Sequence, residues 1–159
     1  MKCYFLRHGL AVDAAEWSGS DFDRPLSRQG LERTTRSAKT IANLGLTVDV
    51  IVSSPLVRAK QTATIVAERL KLEDRLIEDE RLGGGFGLNY LAELLAEHHT
   101  AGAIMLVGHE PGVSRTVGEI VGGADIDFKP GSLACVNVLD PIKLVGALAW
   151  LIPAKVMAL

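Results

Sequence analysis

The sequence has few of the residues that staple or anchor a chain. There are two cysteines, Cys3 and Cys135, among 159 residues. Both lie in short apolar runs that read as strands, and neither has Cys or His at zinc-ligand spacing. They are therefore expected as two reduced core thiols rather than a disulfide or a metal site. No apolar run reaches the ~18 to 20 residues that span a bilayer. The opening run Met1–Leu6 is broken at once by Arg7, too early for a signal-peptide core. The expectation is a soluble, cytoplasmic protein with no membrane partner. An excess of either charge is missing too: 17 Lys and Arg stand against 19 Asp and Glu, a formal net charge of -2. That excludes a generally basic nucleic-acid binder and leaves room for a small basic pocket. Internal repeats and linkers are absent, so residues 1–159 are expected to form a single domain. The 48% hydrophobic content suffices for a core without disulfides or structural metal, and excludes disordered and fibrous classes.

What is present alternates between strand and helix. Residues 2–6 form an apolar run ending at Arg7-His8-Gly9, followed by a polar stretch from Asp13 to Pro25. Ser27 is placed to cap a helix reaching about Leu44, with Gly45 as its stop and Leu31, Ala38, Ile41 and Ala42 on one face. Val48–Val52 is a β-branched strand. Ser54 as N-cap and Pro55 at the first helical position then predict a helix to about Leu70. A weaker strand near Leu76-Ile77 leads into an acidic, Gly-rich turn, and 88–98 reads as a helix. Ala103–Val107 is a strand running into Gly108-His109-Glu110-Pro111, where Pro111 begins a helix that ends near Val121. Two β-rich runs, 132–139 and 144–152, close the chain as a hairpin. The pattern predicts an α/β fold: a mostly parallel central sheet, helices on both faces and antiparallel edge strands.

Three strand-to-helix junctions carry polar residues that a core does not need. They are Arg7-His8-Gly9, Ser53-Ser54-Pro55 with Arg58 one turn on, and Gly108-His109-Glu110-Pro111. In open α/β sheets ligands bind at the carboxyl ends of strands, so these junctions are expected to share one cleft. Taken singly, Arg58 reads as a surface residue and His109 as a satisfied loop histidine. Together, two arginines and two histidines in a slightly acidic chain point to an anionic ligand, with phosphate the best fit.

These junctions resemble the histidine phosphatase superfamily, which has the phosphoglycerate-mutase-like fold. Phe5-Leu6-Arg7-His8-Gly9 resembles its first motif, and Ser53–Ala63 (SSPLVRAKQTA) its second. Val107-Gly108-His109-Glu110-Pro111 is similar to the third, and Arg24–Gly30 to its loop-to-helix segment. The likeness spans residues 2–121, and the short chain without large insertions resembles the branch typified by the phosphohistidine phosphatase SixA. The resemblance implies that His8 is a nucleophile forming a covalent phosphohistidine that water hydrolyses, with no cofactor and no metal. An imidazole with an ordinary pKa near ~6.5 offers a lone pair at neutral pH, provided its other nitrogen is held as a donor. A tight turn at Gly9 would allow that approach.

Arg7, Arg58 and His109 would then surround the phosphoryl group, where positioning and charge stabilisation carry catalysis. Ser54 and the following helix start would add donors, and His109 would be cationic against a phosphate dianion. An ester needs a general acid to expel its alkoxide. Among Glu78, Asp79 and Glu80, the candidate is Glu80, although the turn reads first as a solvated acidic stretch. An imidazole leaves already protonated, so a missing acid favours phosphoramidates. Asp13–Asp23 and Leu82–Gly87 look too short for a deep lid, and Leu10-Ala11 replace the small hydroxyl residue found after Arg-His-Gly in other members. The expected substrate is a phosphohistidine-bearing protein of phosphorelay or phosphotransferase-system type, acted on by a monomer. The alternatives are a small-molecule phosphomonoesterase using Glu80, and a non-catalytic phosphate-binding module.

Overall fold

Alternating apolar runs that are covered on both sides should lie in the middle of a parallel sheet, and the computed structural model, which describes residues 1–159, has that arrangement. Strands β1 (Lys2–Arg7), β2 (Val50–Ser53), β3 (Leu76–Glu78), β4 (Ala103–Gly108), β5 (Leu133–Asp140) and β6 (Val145–Ile152) form one six-stranded sheet in the order β3-β2-β4-β1-β5-β6. The first four strands pair in parallel, while β5 and β6 are antiparallel additions on one side. The helices are α1 (Arg28–Asn43), α2 (Val57–Leu70), α3 (Leu88–Glu97), α4 (Gly112–Ile120) and the short α5 (Ala154–Met157).

Side chains on a strand alternate between its two faces, and the core divides accordingly. Cys3 and Phe5 of β1, with Ile104 and Leu106 of β4, meet Leu91, Leu94 and Leu95 of α3 and Val113 and Val117 of α4. Tyr4 and Leu6, with Met105 and Val107, meet Ala38 and Ile41 of α1 and Ala59, Ala63 and Val66 of α2. Both cysteines are free and buried, one in each layer. Burial pushes the Cys3 thiol up to about 12, its interactions with the amino terminus and Cys135 being smaller, so it carries no reactive thiolate. No helix is long and apolar enough to cross a membrane.

Several expectations need correction. Helix α2 begins at Val57 with Leu56 as N-cap, two residues later than Ser54 and Pro55 suggested. Ser54 continues the sheet instead, its N–H donating to the Val107 carbonyl at 2.9 Å, so its backbone is not free to open a helix. The buried stripe of α1 is Gly30, Thr34, Ser37, Ala38 and Ile41, whereas Leu31 faces solvent. The face opens with Gly30 because α1 starts close against the loop after β1: a Cβ at Gly30 would collide with the Leu10 carbonyl. The sequence reading also missed α5, which is tied to α1 by the Thr40 hydroxyl donating to the Met157 carbonyl at 2.6 Å.

The parallel pairing determines where the chemistry can gather. Arg7 lies opposite Gly108 and Ser53 opposite Val107, so β1, β2 and β4 end together and present their following loops along one edge. That edge is where a doubly covered parallel sheet leaves a crevice.

Candidate active site

His8 follows the last residue of β1 and is fixed at backbone and ring. Its N–H donates to the Gly108 carbonyl at 3.0 Å, and its Nδ1 lies 2.7 Å from the Gly9 carbonyl. A carbonyl can only accept, so in the neutral ring Nδ1 carries the proton and Nε2 keeps the lone pair. Gly9 is required by crowding, because a Cβ there would strike the Thr34 hydroxyl. The Gly9 N–H donates to Thr62 Oγ1 at 3.0 Å, and that hydroxyl donates to the Arg58 carbonyl at 2.8 Å. Thr62 thus links the His8 loop to the start of α2. Gly9 and Ser54, expected near the substrate, each contact one of the two histidines.

The second histidine stands beside the first, with ring centroids 5.0 Å apart. His109 follows β4, and its Nε2 lies 2.7 Å from Ser54 Oγ, which also accepts the Leu56 N–H at 3.2 Å. Arg7 donates through Nη1 to the Phe128 carbonyl at 2.6 Å. Arg58, in the first turn of α2, donates through Nη1 to the Asp21 carbonyl at 2.8 Å and through Nη2 to the Asp21 carboxylate at 3.1 Å. Three buried nitrogens around the histidine pair have no partner: Arg7 Nε, Arg58 Nε and His109 Nδ1. Buried donors are almost always satisfied in folded proteins. A cluster of unpaired nitrogens, two of them guanidinium donors, has the chemistry to take an anion.

The segment 13–23 does more than the sequence suggested. An isolated bridge between Ala11 and Leu26 closes its base, and Arg24 braces it by donating to the Val12 carbonyl at 2.8 Å. It carries a single 3₁₀ turn, Asp21–Asp23, to Arg58. Burial pushes the Asp21 carboxyl up, but hydrogen bonds from Arg24 and Arg58, and their charges, outweigh it and hold the group below its usual range. The Asp-x-x-Arg spacing at 21 and 24 was the available signal for this pair.

Glu80 is solvent-exposed on a 3₁₀ turn (Glu80–Leu82) after β3. That turn hangs on the same sheet edge, the Asp79 N–H donating to the Ser53 carbonyl at 2.9 Å. Arg81 ties it to α3 through Asp79, Glu93 and Glu97. Glu80 therefore stands at the rim, outside the buried cluster.

Burial governs the protonation of the pair. It pushes His8 down to about 3, against a smaller upward pull from the Gly9 carbonyl and with help from His109, Arg58 and Arg7. His109 is pushed down to about 4 by burial first and then by Arg58, against the attraction of Asp21. In the unliganded protein both rings are neutral at pH 7; the cationic His109 is expected from the sequence only against a bound phosphate dianion. Both folded values lie below the ordinary 6.5, so in acid the unfolded chain binds protons that the folded one refuses. Stability is complete above the ordinary value and is lost as pH falls toward the folded values. We predict a loss of about 2–4 kcal/mol between roughly pH 7 and 5, read by urea unfolding in phosphate-free buffer. Unchanged stability over that range would mean that the two rings are not held neutral. The depressed carboxyls Asp21 and Asp79 act only below this window.

The fold and this paired-histidine, paired-arginine edge define a class, and the comparisons agree on it. The family model of the Histidine phosphatase superfamily (branch 1) matches residues 3–83, and the chain belongs to that superfamily. Within it, the chain is 39% identical over 113 residues to an uncharacterized protein of Picosynechococcus sp., covering 70% of this chain and 67% of the relative. It is 28% identical over 127 residues to the phosphohistidine phosphatase SixA of Escherichia coli, covering 77% and 76%. The solved structure of the protein histidine phosphatase SixA complexed with tungstate superposes with a TM-score of 0.87 at 22% identity, over 99% of each chain.

Proposed function

We propose that this chain is a protein phosphohistidine phosphatase, with His8 as nucleophile and Arg7, Arg58 and His109 as the phosphate pocket. The carrying observation is the His8 ring, pinned through Nδ1 to the Gly9 carbonyl beside three buried nitrogens without partners, two of them guanidinium donors. His8 Nε2 attacks phosphorus, the substrate's P–N bond breaks with its electron pair returning to the departing nitrogen, and the imidazole leaves neutral because its other ring nitrogen already carries a proton. Water then attacks the phosphoenzyme, the P–Nε2 bond breaks, and inorganic phosphate leaves with His8 neutral again. The likeness to SixA, whose structure was solved with the oxyanion tungstate, supports both the pocket and the substrate class.

The choice between phosphoramidate and ester rests on Glu80. A carboxyl acting as general acid near neutral pH is normally held protonated by burial. Glu80 is exposed and makes no ion pair, and the residues at the buried end of the site offer no other acid. Glu80→Gln is expected to hydrolyse a phosphohistidine peptide within about twofold of the parent rate, since the leaving imidazole needs no rim acid. Steady-state rates on that peptide and on a sugar phosphate test this. A fall of roughly 10²-fold or more confined to the sugar phosphate, with an efficient parent rate on that ester, would favour the small-molecule phosphomonoesterase.

A further inference from the structure

A second cavity, of about 430 Å³, lies behind the nucleophile loop on the α1–α2 side of the sheet. None of Arg7, His8, Arg58 and His109 lines it, so it is separate from the phosphate pocket. Its wall is nevertheless the backbone that carries His8. Gly9 and Gly131 both line it, and the Gly131 N–H donates to the carbonyls of Arg7 and His8 at 3.1 and 2.9 Å.

The lining combines three features. Leu6, Ile41 and Val66 lie beneath it, almost wholly closed to water, and the half-buried Leu10, Pro130 and Pro153 give it its accessible apolar surface. Ser37 and Ser132 also line it, 5% and 0% exposed, and neither hydroxyl has a hydrogen-bond partner. The behaviour of Ser37 is unusual for a helix, where a hydroxyl commonly bonds the carbonyl four residues back. Thr35 does so, donating to Leu31 at 2.8 Å, whereas Ser37 leaves the Arg33 carbonyl alone. Finally, Arg33, Lys129 and Lys155 stand exposed at its rim, against one carboxylate, Asp127, which pairs with Lys129 at 3.2 Å. A mouth with more cations than anions, on a chain of net charge -2, is a local reversal of sign.

We infer that this cavity is a binding site for a small amphipathic organic anion. The carboxylate or phosphate of the ligand meets Arg33, Lys129 and Lys155, its aliphatic body covers Leu10, Pro130 and Pro153, and a hydroxyl or carbonyl on that body takes the hydroxyls of Ser37 and Ser132. A volume of this size is within the ordinary range for small-molecule sites, which are mostly apolar with a few placed polar groups.

The test is amide NMR on the full chain with orthovanadate added to occupy the phosphate pocket. The probes are 6-hydroxyhexanoate, 6-hydroxyhexyl phosphate and the neutral 1,6-hexanediol. At least one anion is expected to give saturable shifts at Ser37, Gly131 and Ser132, with the diol weaker by roughly tenfold. Which anion binds identifies the head group. Ser132→Ala removes an unpaired hydroxyl and should fold normally; it is expected to weaken binding about fivefold or more. Ser37→Ala serves as an independent second variant. The inference is overturned if neither anion moves these amides at concentrations up to about 10 mM, meaning that the cavity holds water only. It is also overturned if anion and diol bind alike. Neither result bears on hydrolysis at His8, which is assayed separately.

Discussion

A chain carrying His8→Ala keeps no label when incubated with a phosphohistidine peptide bearing a radioactive phosphoryl group and quenched in alkali, where phosphohistidine survives. The parent chain keeps it. Turnover falls by roughly 10⁴-fold or more, the scale seen when a covalent nucleophile is removed. The size follows from the geometry, because His8 is the group at the site whose ring is held by a carbonyl that fixes which nitrogen keeps the lone pair. Ser54 Oγ is occupied by His109 and by the Leu56 N–H, and His109 Nε2 is tied to that same hydroxyl. The depressed pKa of His8, about 3, adds a second expectation. A ring that is neutral throughout the physiological range contributes no acidic limb to phosphoenzyme formation. Equal labelling of parent and His8→Ala would remove this histidine from the mechanism.

Much of this site was legible because it sits at junctions. A strand ending in Arg7-His8-Gly9 and another running into Gly108-His109 can meet only if the strands are parallel neighbours, and the strand–helix alternation implied a parallel sheet. The pairing of Arg7 with Gly108 realises that inference in register. What stayed hidden depends on contacts across long sequence distances. Asp21 reaches Arg58 over 37 residues, and the Phe128 carbonyl takes Arg7 over 121. No local pattern specifies either partner. Local rules also failed where a tertiary bond outbid them: Ser54 and Pro55 have the chemistry of a helix start, but the sheet bond to Val107 and the contact with His109 delay α2 until Val57. The stripe of α1 misled for a related reason. Close approach to the Leu10 backbone admits only Gly30 at the start of that face, and Leu31, one position on, stays outside despite its hydrophobicity.

Arg58 separates charge from geometry in the phosphate pocket. Its Nη1 and Nη2 are both spent on Asp21, at 2.8 and 3.1 Å, and its side chain is 7% exposed. The Asp21 contacts hold one edge of the guanidinium and leave Nε, which has no partner, on the other. A planar fork can serve an acceptor on each edge at once, which a lysine ammonium cannot do in a fixed plane. Arg58→Ala is therefore expected to lower kcat/KM on a phosphohistidine peptide by roughly 10³-fold or more, the scale of an arginine that stabilises a transferring phosphoryl group. Arg58→Lys keeps the charge and is still expected to lose about 10²-fold, with vanadate inhibition weakened in parallel. If charge alone mattered, Lys would restore most of the activity and most of the vanadate affinity. Asp21→Asn distinguishes the remaining possibility, because it keeps an acceptor for Nη2 while removing the negative charge. Were Asp21 chiefly a competitor of phosphate for Arg58, this variant would bind vanadate more tightly than the parent. With Asp21 as the brace that aims the free edge, it binds vanadate no more tightly, and its kcat falls, because a neutral amide holds the fork less firmly than a carboxylate.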